Sequence, residues 1–212
     1  QRKRESAPAP SYVLKPEDIH VDEFILPALR DYVGNDREQM KQAVIKEMRD
    51  LCSLGTLCWE KIPDNRRAIS SKVVLKLKYM ADGTPDKHKG RLVARGFESK
   101  PGVDFFGTFA PMANLTTVRT LFAIAVHTKG SDGKSLPIIQ ADIPQAFLQA
   151  EIDVPQYIML PKGITVNPVY TALDTADWDN RIVRLLRSLY GLKSAPQIWN
   201  KMLNEILVVD LK

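Results

Sequence analysis

Cysteine is scarce in this chain: Cys52 and Cys58 are the only two in 212 residues. Two thiols so close together cannot staple a chain of this length, so a disulfide scaffold is excluded and a reducing compartment is expected. The C-x5-C spacing is poor for a metal, which leaves buried free thiols as the better reading. Histidine is as thin. His20, His88 and His127 are scattered and form no ligand pair. No apolar run approaches the ~18 residues of a membrane span. Gln1-Arg2-Lys3-Arg4 is charged but no apolar stretch follows it, so no secretion signal is expected. There is no internal repeat, no G-x-S-x-G, no G-x-G-x-x-G and no Asp-Asp dipeptide.

What is present is ordinary in bulk. Hydrophobic residues make up 44% and charged residues 26%, which argues against wholesale disorder. The length fits one large domain or two small ones. The net charge of +5 is unevenly placed. Residues 66–100 hold ten Lys and Arg against Asp82, Asp86 and Glu98, a local +7, so the remainder is slightly acidic at −2. A solvated hairpin face would account for this, and so would an anion site for phosphates. Composition leaves both open.

Hydrophobic spacing predicts an α+β domain. Residues 1–35 carry Pro8, Pro10, Pro16 and Pro27 and little periodicity, and are expected to be a flexible lead-in. A helix is predicted over 37–54, with Met40, Ala43, Val44, Met48, Leu51 and Cys52 on one face. Asp36 would cap it with Gln39 completing a capping box, and Gly55 would end it. Two strands follow, 68–79 and 89–94, joined through an Asp82-Gly83 turn. In the first, Val73, Leu75 and Leu77 alternate with Lys72, Val74, Lys76 and Lys78, so period two puts the lysines on one face. A buried helix is predicted over 117–128 with Thr116 as cap, then a strand over 136–141 ending at Asp142. Further strands are expected at 157–160 and 182–186, and a helix over 196–208. Helix, hairpin, helix, three strands and helix suit α+β rather than a doubly wound sheet. Gly130-Ser131-Asp132-Gly133-Lys134-Ser135 looks like a phosphate loop, but the first glycine is missing and the element order is reversed, so it reads as a polar connector.

Five stretches in order carry a resemblance. They are Ser71-Lys72-Val73-Val74-Leu75-Lys76, Lys89-Gly90-Arg91-Leu92-Val93-Ala94-Arg95-Gly96-Phe97, Thr108-Phe109-Ala110-Pro111, Gln140-Ala141-Asp142-Ile143-Pro144-Gln145-Ala146-Phe147-Leu148, and the run from Ser188-Leu189-Tyr190-Gly191-Leu192-Lys193 through Ser194-Ala195-Pro196-Gln197-Ile198-Trp199. Together they resemble the reverse transcriptase of copia-type LTR retrotransposons, an RNA-directed DNA polymerase. The match covers residues 36–212.

The resemblance implies fingers and a partial palm of a right-hand polymerase, with two Mg²⁺ ions held between carboxylates. It makes Asp142 the first catalytic and metal-binding aspartate; on its own, Asp142 before Ile143-Pro144 could equally be a helix N-cap. It places the backbone from Ile143 to Phe147 under an incoming triphosphate. Phe147 becomes the ring that fills the space of a 2′-hydroxyl, although Phe147 and Leu148 could be plain core. Lys76, Lys89, Arg91 and Arg95 become candidates for the β- and γ-phosphates, where charge-assisted contacts are strong. Arg91 and Arg95 would share a face if the strand ran on undisturbed, and Gly96 could bend it there. Gly90 stands where the family more often has Ala.

Tyr190 and Gly191 are implied to meet the nucleotide base. Lys72, Lys78, Lys193 and Pro196 are implied to contact template or primer. The segment around Gly191 also reads as a strand-to-helix turn punctuated by Gly and Pro. The partners implied are an RNA or DNA template–primer, deoxynucleoside triphosphates and the rest of a retrotransposon polyprotein, without membrane involvement. The location implied is a cytoplasmic virus-like particle, with delivery of the product to the nucleus, and not secretion. The family's other two carboxylates lie in an aromatic-x-Asp-Asp hairpin beyond Pro196. This sequence has none, so polymerisation by these 212 residues alone is not expected. The competing reading is a non-catalytic nucleic-acid-binding remnant or co-opted domain.

Overall fold

The computed structural model describes residues 11–167 and 179–210, with side chains through 208; the first ten residues of the expected lead-in lie outside this range. The fold is mixed α+β. In chain order the regular elements are β1 (Ser11–Val13), β2 (Ile19–Val21), α1 (Gly34–Ser53), β3 (Leu57–Glu60), β4 (Ala68–Tyr79), β5 (Pro85–Ala94), α2 (Leu115–His127), α3 (Ala146–Gln149), β6 (Glu151–Met159), β7 (Ile164–Val166), β8 (Ile182–Arg187) and α4 (Ala195–Glu205). A six-stranded sheet runs β1-β3-β8-β6-β4-β5, and β2 pairs separately with β7.

Residues 11–35 form short elements, as their prolines require, but they are packed. Leu14, Leu26 and Leu29 are fully buried, as is Asp18, whose carboxylate accepts from the Lys15 amide at 2.8 Å. Composition showed the proline breaks and missed the three leucines as core.

Helix α1 buries Met40, Val44, Met48, Leu51 and Cys52, the face that the spacing predicted. It begins three residues earlier than expected, and Val33 occupies the cap position without a side-chain bond. Asp36 therefore sits in the first turn, where the helix dipole favours a carboxylate. The helix ends as expected. Gly55 takes φ +66°, and the Gly55 and Thr56 amides return to the Cys52 and Leu51 carbonyls at 2.8 and 2.9 Å.

Strands β4 and β5 form the predicted hairpin with Ser71 opposite Ala94 and Lys78 opposite Lys87. Gly83 turns at φ +84°. Val73, Leu75 and Leu77 face inward with Leu92, while Lys72, Val74, Lys76 and Lys78 are exposed. Helix α1 lies across β5 at Gly90, where a Cβ would sit 3.0 Å from the Ala43 carbonyl oxygen. Gly90 thus lets the helix backbone approach the strand, a more specific role than loosening it.

Two expectations fail in residues 115–145. Helix α2 has no buried residue: Leu121 is 59% exposed and Ile124 52%. Asn114, rather than Thr116, caps it, accepting from the Thr116 amide at 2.9 Å. Residues 136–141 form no strand either, and Ile139 is 87% exposed. Both failures have one cause. An apolar helix and an apolar strand need a partner surface, and the described residues supply none here. The last helix also closes early, at Glu205, giving way to a π-type turn at Ile206–Asp210.

Cys52 and Cys58 are free and buried. Burial pushes the Cys52 thiol up to about 12 and the Cys58 thiol upward as well. At pH 8 both are neutral, and the thiolate is the reactive form. The native chain should therefore react slowly with a chromogenic disulfide reagent and release two equivalents in denaturant. Rapid native labelling of either cysteine would contradict this placement.

Candidate nucleotide site

The hairpin register builds the first wall of the site. Lys76 stands opposite Lys89, Lys78 opposite Lys87, and Val74 opposite Arg91. Paired residues point to the same side, so Lys72, Lys76, Lys78, Lys87, Lys89 and Arg91 share one face. Like charges placed opposite one another repel. The Lys89 ammonium is held below its usual range by burial and by the neighbouring charges of Arg91, Lys78 and Lys87.

An open cavity of about 330 Å³ lies at the base of this face. Lys89 and Arg91 line one side. Asp142, Ile143 and the backbone through Phe147 line another, and Tyr190 closes it. The Arg91 guanidinium lies 5.2 Å from the Tyr190 ring centroid, within cation–π range. Phe147 meets the same ring edge-on, with centroids 6.0 Å apart and planes at 65°. Burial and the nearby Glu47 carboxylate raise the Tyr190 phenol, against the pull of Arg91.

Backbone geometry shapes the floor. Gln145 takes φ +53° as it leads into α3, the one non-glycine with positive φ among the described residues. Such a conformation costs about 1–3 kcal/mol and tends to occur where a site needs it. Gly191 takes φ +87°, and a Cβ there would run into the Ala94 carbonyl. A Cβ at Gly96 would in turn meet the Gly191 carbonyl. The Ala94 amide donates to the Tyr190 carbonyl at 2.8 Å, so the loop carrying Tyr190 is laid directly on the end of β5.

The cavity gathers Lys89, Arg91, Asp142, Ile143, Phe147 and Tyr190, with Gly191 beside it. It leaves out the other predicted residues. Lys76 and Lys78 stand further out on the hairpin face, exposed. Arg95 does not share the cavity with Arg91, because β5 ends at Ala94 and Arg95 turns away into a 3₁₀ segment, Gly96–Glu98. Arg95 instead lines a separate groove of about 380 Å³ with Lys72 and Lys162. Lys193 lies exposed with its Nζ 5.4 Å from the Phe105 ring centroid, and Pro196 opens α4. A wider groove of about 940 Å³ between α4 and the start of β6 contains none of the predicted residues.

Two features of the site went unnoticed in the sequence. The left-handed backbone of Gln145, within the 143–147 stretch that the resemblance singled out, carried no signal. Glu47 did: it is a charged residue on the buried stripe of α1, 8% exposed, and it accepts a hydrogen bond from the Leu92 amide at 3.1 Å.

Among the described residues, Asp142 is the only carboxylate lining the cavity, and no group of three or more potential metal ligands occurs. Mg²⁺ is commonly held by one or two carboxylates together with substrate phosphates. A lone carboxylate such as Asp142 is of the kind that can hold one such ion. The lining does not fit a second.

The model of the family described as reverse transcriptase (RNA-dependent DNA polymerase) matches residues 56–211. The chain belongs to the reverse transcriptase family. It is 31% identical to the retrovirus-related Pol polyprotein from transposon TNT 1-94 of Nicotiana tabacum, over 91% of this chain and 13% of that protein. It is 29% identical to the Pol polyprotein from transposon RE1 of Arabidopsis thaliana, over 81% of this chain and 11% of the relative. The transposon Ty1-ER2 Gag-Pol polyprotein of Saccharomyces cerevisiae is 29% identical over 82% of this chain and 9% of that protein. The chain thus spans about an eighth of these relatives at most. No solved structure matches significantly. No helix among the described residues is long and apolar enough to cross a membrane.

The contact at Gly191 is testable. Gly191→Ala forces a side chain into left-handed backbone and against the Ala94 carbonyl, and should cost ~3 kcal/mol. Urea unfolding measures it. A loss under ~0.5 kcal/mol would mean that the Tyr190 loop is not seated on β5 this closely.

Proposed function

We propose that the chain is the fingers and part of the palm of a copia-type reverse transcriptase, and that the cavity at Arg91 and Tyr190 receives the incoming deoxynucleoside triphosphate. In this reading the six-stranded sheet is the fingers, and residues 105–149 with α4 belong to the palm. The observation that carries the reading is the convergence in one cavity of two cations from β5, one carboxylate, a backbone stretch and two aromatics packed edge to face, from separate parts of the chain.

Each group has a role that its chemistry suits. Lys89 and Arg91 neutralise phosphate oxygens, and the guanidinium is pre-oriented by its packing on Tyr190. Asp142 offers a carboxylate oxygen to a Mg²⁺ ion bound to the triphosphate. Such an ion would neutralise developing charge on the phosphates. Backbone from Ile143 to Ala146 forms the floor beneath the nucleotide. Phe147 presents a ring where a 2′-hydroxyl would need room, which selects deoxynucleotides. Lys76 and Lys78 extend the basic face outward toward nucleic acid. Lys72, Arg95 and Lys162 form a second basic wall suited to a phosphodiester backbone, and Lys193 and Pro196 lie on the template side of the Tyr190 loop. The exposed apolar face of α2 is covered by further parts of a Pol polyprotein.

A second reading keeps nucleic-acid binding and drops catalysis. It is favoured by the single carboxylate in the cavity. Primer extension separates the two readings: with Mg²⁺ or Mn²⁺, the 212-residue chain alone should not extend a primer. Clear extension would sink the expectation drawn from the missing Asp-Asp pair.

Binding tests the cavity itself. Magnesium-loaded deoxynucleoside triphosphate should bind, and Arg91→Ala should weaken it ~10- to 100-fold, as expected for a lost charge-assisted contact of ~1.5–3 kcal/mol. Primer–template affinity should fall steeply with salt, and Lys72→Ala with Lys162→Ala should make that dependence shallower by about one charge each. Triphosphate affinity unaffected by Arg91→Ala would overturn the assignment of the cavity.

A further inference from the structure

We infer that Glu47 is the positioning residue of the nucleotide cavity: by holding the free edge of β5 it fixes Arg91 on Tyr190. The inference rests on the triphosphate reading of the cavity for its functional meaning, and on geometry alone for its structural claim.

Strand β5 is the outermost strand of its sheet, with β4 on one side and none on the other. Along an edge strand every second amide points away from the sheet and must find a partner or remain unpaired. On β5 two such amides in succession are paired, and neither partner is a strand. The Ala94 amide meets the Tyr190 carbonyl at 2.8 Å. The Leu92 amide, on a fully buried residue, meets Glu47 Oε1 at 3.1 Å. Glu47 and Tyr190 therefore grip the same edge one step apart, with Arg91 close by.

The location of Glu47 is costly. It shares the buried face of α1 with Val44, Met48 and Leu51, where an apolar side chain would bury more favourably. Burial raises its carboxyl, while the Leu92 bond and the charges of Arg91 and Lys89 oppose that rise. The same carboxylate acts on the Tyr190 phenol. One side chain thus couples to Lys89, Arg91 and Tyr190 from behind the strand and lines no part of the cavity itself.

The sign of the effect separates positioning from bulk electrostatics. Removing a negative charge near an anion site should strengthen anion binding. Removing the group that orients Arg91 should weaken it. Glu47→Gln keeps an oxygen that can accept from Leu92 and loses the charge; Glu47→Ala loses both. Inorganic tripolyphosphate serves as the probe, and labelled protein reports Leu92 amide exchange and the Arg91–Tyr190 contact by NMR.

Glu47→Ala should lose slow exchange at Leu92, lose the Arg91–Tyr190 contact and bind tripolyphosphate ~10-fold more weakly. Glu47→Gln should keep both signals and bind at least as tightly as the parent. In an Arg91→Ala background, Glu47→Ala should cause no further loss of affinity. Unchanged or tighter binding by Glu47→Ala, survival of the Arg91–Tyr190 contact in it, or equal damage from Glu47→Gln would each overturn the inference. If the parent chain binds no tripolyphosphate, the triphosphate reading fails, and the two NMR signals alone decide the role of Glu47.

Discussion

The free edge of β5 is the constraint on which the site depends. A strand at the end of a sheet leaves amides that water or another segment must satisfy. Here α1 lies close to the strand because Gly90 has no side chain, and the loop at Tyr190 lies close because Gly191 and Gly96 have none. Those contacts bring a carboxylate and a carbonyl to the edge, and the edge in turn holds the loop. Phe147 then packs on Tyr190, and the floor of the cavity follows. A single larger residue at any of the three glycines would act on every wall at once.

Electrostatics gives the arrangement its direction. Six cations on one face of a two-stranded ribbon repel one another, and the strand pairs set lysine against lysine twice. Folding alone gains nothing from such a face. A bound polyanion would offset that cost, because each phosphate contact would release repulsion as well as form a bond. The rest of the chain is slightly acidic, so the attraction is local to the hairpin rather than spread over the surface. Lys89, partly buried among like charges, gains most from an anion.

How much of this could be read from the sequence depends on where the partners lie. The hairpin, its turn and its two faces were legible because period two and Asp82-Gly83 are local signals. The buried face of α1 was legible for the same reason. The family resemblance picked out Lys89, Arg91, Asp142, Ile143, Phe147 and Tyr190 as candidates, and the fold brings those six to one cavity. Whether Arg95 shares a face with Arg91 depended on where β5 ends, and the strand stops one residue short of Arg95, at Ala94. Glu47 was passed over because stripe reading counts apolar residues and skips the charged one among them. The left-handed backbone of Gln145 left no mark on residue type or spacing.

Helix α2 forms as expected but unburied, and the strand expected over 136–141 is absent; both bear on the region around Asp142. Helix α2 and residues 136–143 have apolar sequences and exposed side chains, each carrying a hydrophobic penalty of roughly 25 cal/mol per Å² left in water. Residues 136–141 have the composition of a strand without a neighbouring strand to pair with, so no ladder fixes them. Asp142 stands at the end of that segment. On the proposed reading Asp142 is a metal ligand, which must be held to within about 0.5 Å to be useful, and no ladder pins its segment. A surface that covered α2 and these residues would restrain Asp142 as well. On the proposed reading, burying this region and ordering that carboxylate would be one physical event, whereas Arg91, Tyr190 and Phe147 already pack together without it.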